Sequence, residues 1–233
     1  MIDDRRNEEG TLISYSSLLF AILTLIIISP HIHQLAGSIL VELLFTCILL
    51  LSISIVSNNA KVLLIGIALI SPALILSWMS IIEETVWMRI FSKGLYALFI
   101  LYTTIILSKR VFFSKKVHPN LIHGALCIYL LTGVLWAIVY TLINTLNPAA
   151  FYFPDHMLAA HESDSFKGMF EYFLYYSYVT LTTLGFGEIT PVSALTRSLS
   201  ALEAITGQFY IATLVASLVA RIMRQNIQSQ DIT

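Results

Sequence analysis

Six mostly apolar runs, each close to or beyond the length that crosses a bilayer, constrain this chain more than any other feature. They cover roughly Thr11 to Ile28, Ala36 to Val56, Val62 to Ser80, Val86 to Leu107, Leu121 to Leu146 and Ser198 to Met223. About 20 apolar residues in a helix span the hydrocarbon core. Turn chemistry or charge separates the runs: Ser29-Pro30-His31, Ser57-Asn58-Asn59, Glu83-Glu84, Lys109-Arg110, and the long stretch from Asn147-Pro148. Apolar residues make up 57% of the chain and charged residues 12%, about half the charge of a soluble domain. The expected fold is an all-α membrane protein of six transmembrane helices.

Charge placement orients the spans. With the N-terminus inside, Arg5, Arg6, Lys61, Lys109, Arg110, Lys115, Lys116, Arg221 and Arg224 fall on the cytoplasmic side, where Lys and Arg concentrate. Glu83, Glu84, Asp155, Glu162, Asp164 and Glu188 then collect outside. Both termini are expected in the cytoplasm. Asp3, Asp4, Glu8 and Glu9 dilute the basic start, which argues against a signal peptide. The net charge of −1 gives no basic footprint for nucleic acid. Cys47 and Cys127 stand alone in apolar runs and read as free packing residues.

The organisation read from these runs is a cytoplasmic N-terminus (1–10), a four-helix membrane domain (11–107), a basic cytoplasmic linker (108–120), a second membrane unit (121–224) and a short tail (225–233). The tail is too short for a regulatory domain.

The segment between the last two spans does not read as an ordinary loop. Ser165 to Pro191 is SFKGMFEYFLYYSYVTLTTLGFGEITP. Its first half, about Gly168 to Leu181, is aromatic and too short to span. Its second half is a Thr-Thr-Leu-Gly-Phe-Gly run. Irregular backbone at membrane depth is tolerated only when buried in protein or lining a water-filled path. A dehydrated cation needs several oxygens at once. Backbone carbonyls supply them when the chain alternates in handedness, which glycine tolerates at little cost. That accounts for Gly185 and Gly187. Thr183, with Thr182 beside it, adds a side-chain oxygen at the inner mouth, and Phe186 is expected to turn away and pack behind.

YYSYVTLTTLGFGEITP resembles the pore signature of the potassium channel superfamily, and TRSLSALEAITGQFYIATLVASLVAR resembles the inner helix of its prokaryotic members. Filters of this family are loops of carbonyl oxygens contributed by four repeats. The resemblance is strong over about Gly168 to Arg224 and only architectural for the first four spans. It implies a re-entrant pore helix and a selectivity filter, Thr182, Thr183, Leu184, Gly185, Phe186 and Gly187, with K+ held at Thr183, Leu184, Gly185 and Phe186. One chain carries one filter strand, so a homotetramer in membrane lipid is implied. K+ is the permeant ion and no cofactor is expected. An unidentified regulatory subunit is a candidate partner, and the first four spans are read as a degenerate, sensor-like domain. The prokaryotic likeness points to a bacterial plasma membrane. Leu184 stands where the family usually has valine or isoleucine, Phe186 where tyrosine is commoner, and Glu188 where aspartate is usual. Phe186 lacks a hydroxyl that could tether the filter from behind.

Glu203 lies within the last span, and an ionisable group at that depth is a functional candidate. It is expected to hydrogen-bond behind the filter, to Ser177 or Tyr178, with a carboxyl near the outer boundary as the plainer alternative. Gly207, which costs a helix about 1 kcal/mol against alanine, resembles the family's gating hinge. The alternative is close helix packing, with Ala212, Ala216 and Ala220 continuing a small-residue face. Arg89 and Lys93 open the fourth span but give at best a weak voltage sensor, so snorkelling or pairing with Glu42 is the expected role. His31, His33, His118, His123, His156 and His161 show no metal-ligand arrangement. His156 and His161 leave room for proton modulation.

The expected function is passive potassium conduction, not steeply voltage-gated. A less selective cation pore and a secondary transporter are the competing readings. The chain has no HExxH or GxSxG motif to indicate an enzyme, and no internal repeat of the transporter kind.

Overall fold

The computed structural model describes residues 2–28, 35–56, 60–82, 86–113, 119–154, 157 and 169–230. Asp155, His156, the predicted outer-loop residues from 158 to 168, and His31, His33 and His118 lie outside them. The described chain is almost entirely helical. Helices α1 (Ile2–Ile28), α2 (Leu35–Val56), α3 (Ala60–Ile82), α4 (Val86–Phe113) and α5 (Pro119–Leu146) are followed by a short helix, α6 (Met169–Leu181), and a long one, α7 (Ala194–Gln230).

Four helices are long and apolar enough to cross a membrane among the described residues: Lys61–Met79, Val86–Phe112, Ile122–Leu146 and Ala194–Ala220. Tyr15–Ile28 and Glu42–Ile53 add shorter apolar stretches. Bulky apolar side chains such as Phe20, Leu64, Trp87 and Phe91 are exposed. Water would penalise such a surface, while hydrocarbon accommodates it.

Helix α5 is the hub, packing against α1, α4, α6 and α7, while α3 lies on α4 and α2 on α1. Its buried residues Ala125, Ile128, Leu131, Val134, Ala137, Ile138 and Thr141 recur at three- and four-residue spacing, the stripe a helix needs to bury a continuous face. Glu42, on α2, is buried and lies 3.7 Å from Lys93 Nζ on α4. The Tyr96 hydroxyl donates to Glu42 Oε1 at 2.5 Å. Lys93 also sits over the rings of Phe45 (5.4 Å) and Tyr96 (5.1 Å). Lys93 is thus tied to Glu42, one of the two roles expected for it.

Three element ends differ most from the sequence reading, the first being that of α7, which runs past Met223 to Gln230, through most of the segment read as a tail. Helix α1 begins at Ile2, ahead of the apolar run. Helix α4 continues to Phe113, through Lys109-Arg110 and into the segment read as a linker. Charge ends an apolar run without ending a helix, and Arg110 in the last turn suits the negative helix terminus.

A two-residue antiparallel bridge ties the chain just after α5 to the chain just before α7. Strand β1 (Phe151–Tyr152) pairs with β2 (Thr190–Pro191), Phe151 opposite Pro191 and Tyr152 opposite Thr190. The Ala150 carbonyl accepts from Val192 N at 2.9 Å and from Thr196 Oγ1 at 3.0 Å. Ser193 caps α7 by accepting from Thr196 N at 3.1 Å.

Candidate functional site: the segment between α6 and α7

Helix α6 has 13 residues, about 20 Å of helix against a hydrocarbon core of about 30 Å. It buries Phe170, Phe173, Leu174, Tyr176, Ser177, Val179 and Leu181. Aromatic contacts seat it on α5 and β1: Phe151 meets Phe173 at 4.7 Å and Tyr140 meets Tyr176 at 5.2 Å, both edge to face. Tyr129, on α5, donates to the Leu181 carbonyl at 3.3 Å.

The chain leaves α6 through hydrogen bonds back to its last turn. Thr183 N donates to Thr180 O (2.9 Å), and Leu184 N to Val179 O (2.9 Å). The backbone then takes positive φ at every second residue: 60° at Thr183, 61° at Gly185 and 79° at Gly187. Leu184 and Phe186, between them, keep negative φ. Alternating left- and right-handed residues is the torsional condition for successive carbonyls to face one side. Two of the three left-handed positions are glycine, which pays little for them. Thr183 is a β-branched exception. Every residue from Thr182 to Glu188 is exposed in the single chain.

Phe186 stacks on Tyr175 of α6, with ring centroids 6.4 Å apart and planes 10° from parallel. The Tyr175 hydroxyl donates to Glu188 Oε2 at 2.9 Å. Desolvation, then that hydrogen bond and the carboxylate charge, push the Tyr175 phenol up to about 12. Phe186 lacks a hydroxyl, and Tyr175 provides a tether at this level from the helix side. Glu171, in the first turn of α6, lines a cleft with Leu174, Tyr175, Tyr178 and Phe186. Burial raises its carboxyl to about 7.

Glu203, on α7, is fully buried. Ser177 Oγ lies 2.5 Å from its Oε1, and the Tyr140 hydroxyl donates to its Oε2 at 2.7 Å. Ser177 Oγ also lies 2.8 Å from the Gly133 carbonyl. One carboxyl therefore joins α5, α6 and α7. Tyr178 does not reach it: its hydroxyl donates to Leu130 O at 2.8 Å, and its ring occupies the space a side chain at Gly133 would need.

Helix α7 runs unbroken through Gly207. A Cβ there would overlap the Leu181 carbonyl oxygen, so this position sets how closely α7 approaches the end of α6. The next residue, Gln208, donates from Nε2 to Thr183 Oγ1 at 3.2 Å.

Sequence reading missed Tyr140, Tyr175 and Gln208. Only Gln208 carried a local signal, as a polar side chain in an apolar span. Among the described residues, no group of three or more His, Cys, Asp or Glu could hold a metal ion.

No curated protein and no solved structure matches the chain. Residues 124–224 match a family model described as an ion channel. This match covers most of α5, all of α6 and the irregular segment, and most of α7. The matched stretch, residues 124–224, is similar to ion-channel pore domains and supports membership of the potassium channel superfamily for this part of the chain.

Proposed function

We propose that four copies of this chain form a potassium-selective pore, each contributing Thr182–Gly187 as one filter strand. The observation that carries this reading is positive φ at Thr183, Gly185 and Gly187. K+ sheds water for carbonyl oxygens, and alternating torsions are what a single strand needs to present them. In this reading K+ is held at Thr183, Leu184, Gly185 and Phe186, and α6 is a re-entrant pore helix whose C-terminal partial charge favours a cation.

Exposure supports assembly. Leu184 is 58% and Phe186 63% exposed, and along α7 Leu202, Phe209 and Val215 are exposed as well. Other copies of the chain and lipid would cover these surfaces. Glu188, Glu203 and Ser177 support the filter in this account, and Tyr178 anchors the pore helix to α5. Gly207 is both the close-approach point and the candidate hinge. The six-span arrangement, cytoplasmic termini and a bacterial plasma membrane complete the reading, with gating left to a partner subunit or to α7 itself.

Purified protein in liposomes holding a K+ gradient tests this. Potassium efflux that charges the vesicle interior negative, with tetramers by mass, is the expected outcome. Coupled movement of a second ion would point to a transporter instead.

A further inference from the structure

Among the described residues, Thr183 alone combines a side chain with positive φ. That conformation is unfavourable for a β-branched residue and persists only where surroundings over-determine it. Two hydrogen bonds do so. One is local, from Thr183 N to Thr180 O at 2.9 Å. The other comes from α7, from Gln208 Nε2 to Thr183 Oγ1 at 3.2 Å. Among the described residues it is the one hydrogen bond between α7 and Thr182–Gly187.

The reach of Gln208 depends on its neighbour. Gly207 lets α7 come against the Leu181 carbonyl, and Gln208 is thereby brought level with Thr183. An amide N–H donated into a hydroxyl oxygen occupies one of its two lone pairs. The other lone pair stays available to a cation, and the side-chain torsion is fixed.

We propose that Gln208 is a positioning residue for conduction: its amide holds the Thr183 side-chain oxygen and its left-handed backbone in place, so that displacement of α7 releases the inner end of the ion path. This rests on the reading of Thr182–Gly187 as the filter. A ring of such amides would lie under the filter in a tetramer, at the entrance for ions arriving from the α7 side.

The test is block of single-channel K+ current by Ba2+, an ion close to K+ in size with twice the charge, applied from each side. Q208L removes the donor and keeps the bulk. It is expected to weaken block from the inner side by about fivefold, the scale of one net hydrogen bond, and to leave outer block unchanged. In a T183V background, which lacks the hydroxyl, Q208L is expected to add nothing. If Q208L does not assemble, Q208M carries the same expectation. Inner block unchanged by Q208L, or block altered equally from both sides, overturns the proposal while wild-type currents remain potassium-selective. Wild-type currents without potassium selectivity overturn the filter reading itself.

Discussion

Ser177 Oγ stands 2.5 Å from Glu203 Oε1 and 2.8 Å from the Gly133 carbonyl oxygen, with one hydroxyl hydrogen to serve both. A hydrogen on the Glu203 carboxyl, donated to Ser177 Oγ, frees Ser177 to donate to Gly133. Tyr140 donates to the other carboxyl oxygen, and every group is then satisfied. A glutamine amide can make the same set. Glu203→Gln is therefore expected to keep the thermal stability of the purified protein. Glu203→Ala leaves Ser177 and Tyr140 short of partners and should cost about 1–3 kcal/mol. An unchanged Tm for the alanine variant would refute the buckle between α6 and α7.

Gly207→Ala separates hinge from packing. The added Cβ meets backbone, the Leu181 carbonyl, rather than the yielding end of a side chain. Overpacking of this kind costs about 1–3 kcal/mol. The expected outcome is a lower Tm and loss of current through displacement of α7 from α6. A variant with wild-type stability and altered open probability alone would favour a pure hinge.

Glu171 makes stability depend on pH. Burial holds its carboxyl at about 7 in the folded chain, against about 4.3 unfolded. The folded state keeps the proton to higher pH, so this contribution is complete below about pH 4.3 and is lost as pH rises through about 7. Tm is expected to fall between about pH 5 and about pH 8 in the wild type, with a flatter profile in Glu171→Gln. The same slope in both proteins would remove Glu171 as the cause.

The Lys93–Glu42 pair, 3.7 Å apart, is expected to act in assembly more than in voltage sensing. Lys93→Met strands a buried carboxylate, a change that typically costs about 3–5 kcal/mol. The double variant Glu42→Gln with Lys93→Met should recover most of the folded yield. Moving one charge through the field is worth about 2.3 kcal/mol per 100 mV, so a single tethered lysine gives shallow voltage dependence. Steep activation that disappears on neutralising Arg89 would contradict this.

Much of this architecture is legible because membranes impose simple rules. Apolar runs marked the helices, and glycine chemistry marked Gly185 and Gly187. Glu203 stood out as an ionisable group in a span. Its partners did not. Tyr140 is 63 positions away in sequence and looks like any aromatic in an apolar run. Ser177 and Tyr178 are about 100° apart around α6, so only one can face Glu203, and the sequence offered no way to set that phase. The left-handed Thr183 was equally hidden, because its conformation is held by Gln208 and the end of α6 rather than by its own preference.

The most direct test of the central claim is the reversal potential of purified protein in a planar bilayer with unequal K+ on the two sides and Na+ making up the difference. A potassium-selective pore predicts reversal close to the potassium equilibrium potential, moving with it as the K+ gradient is changed. Reversal near zero under the same gradient would contradict the account.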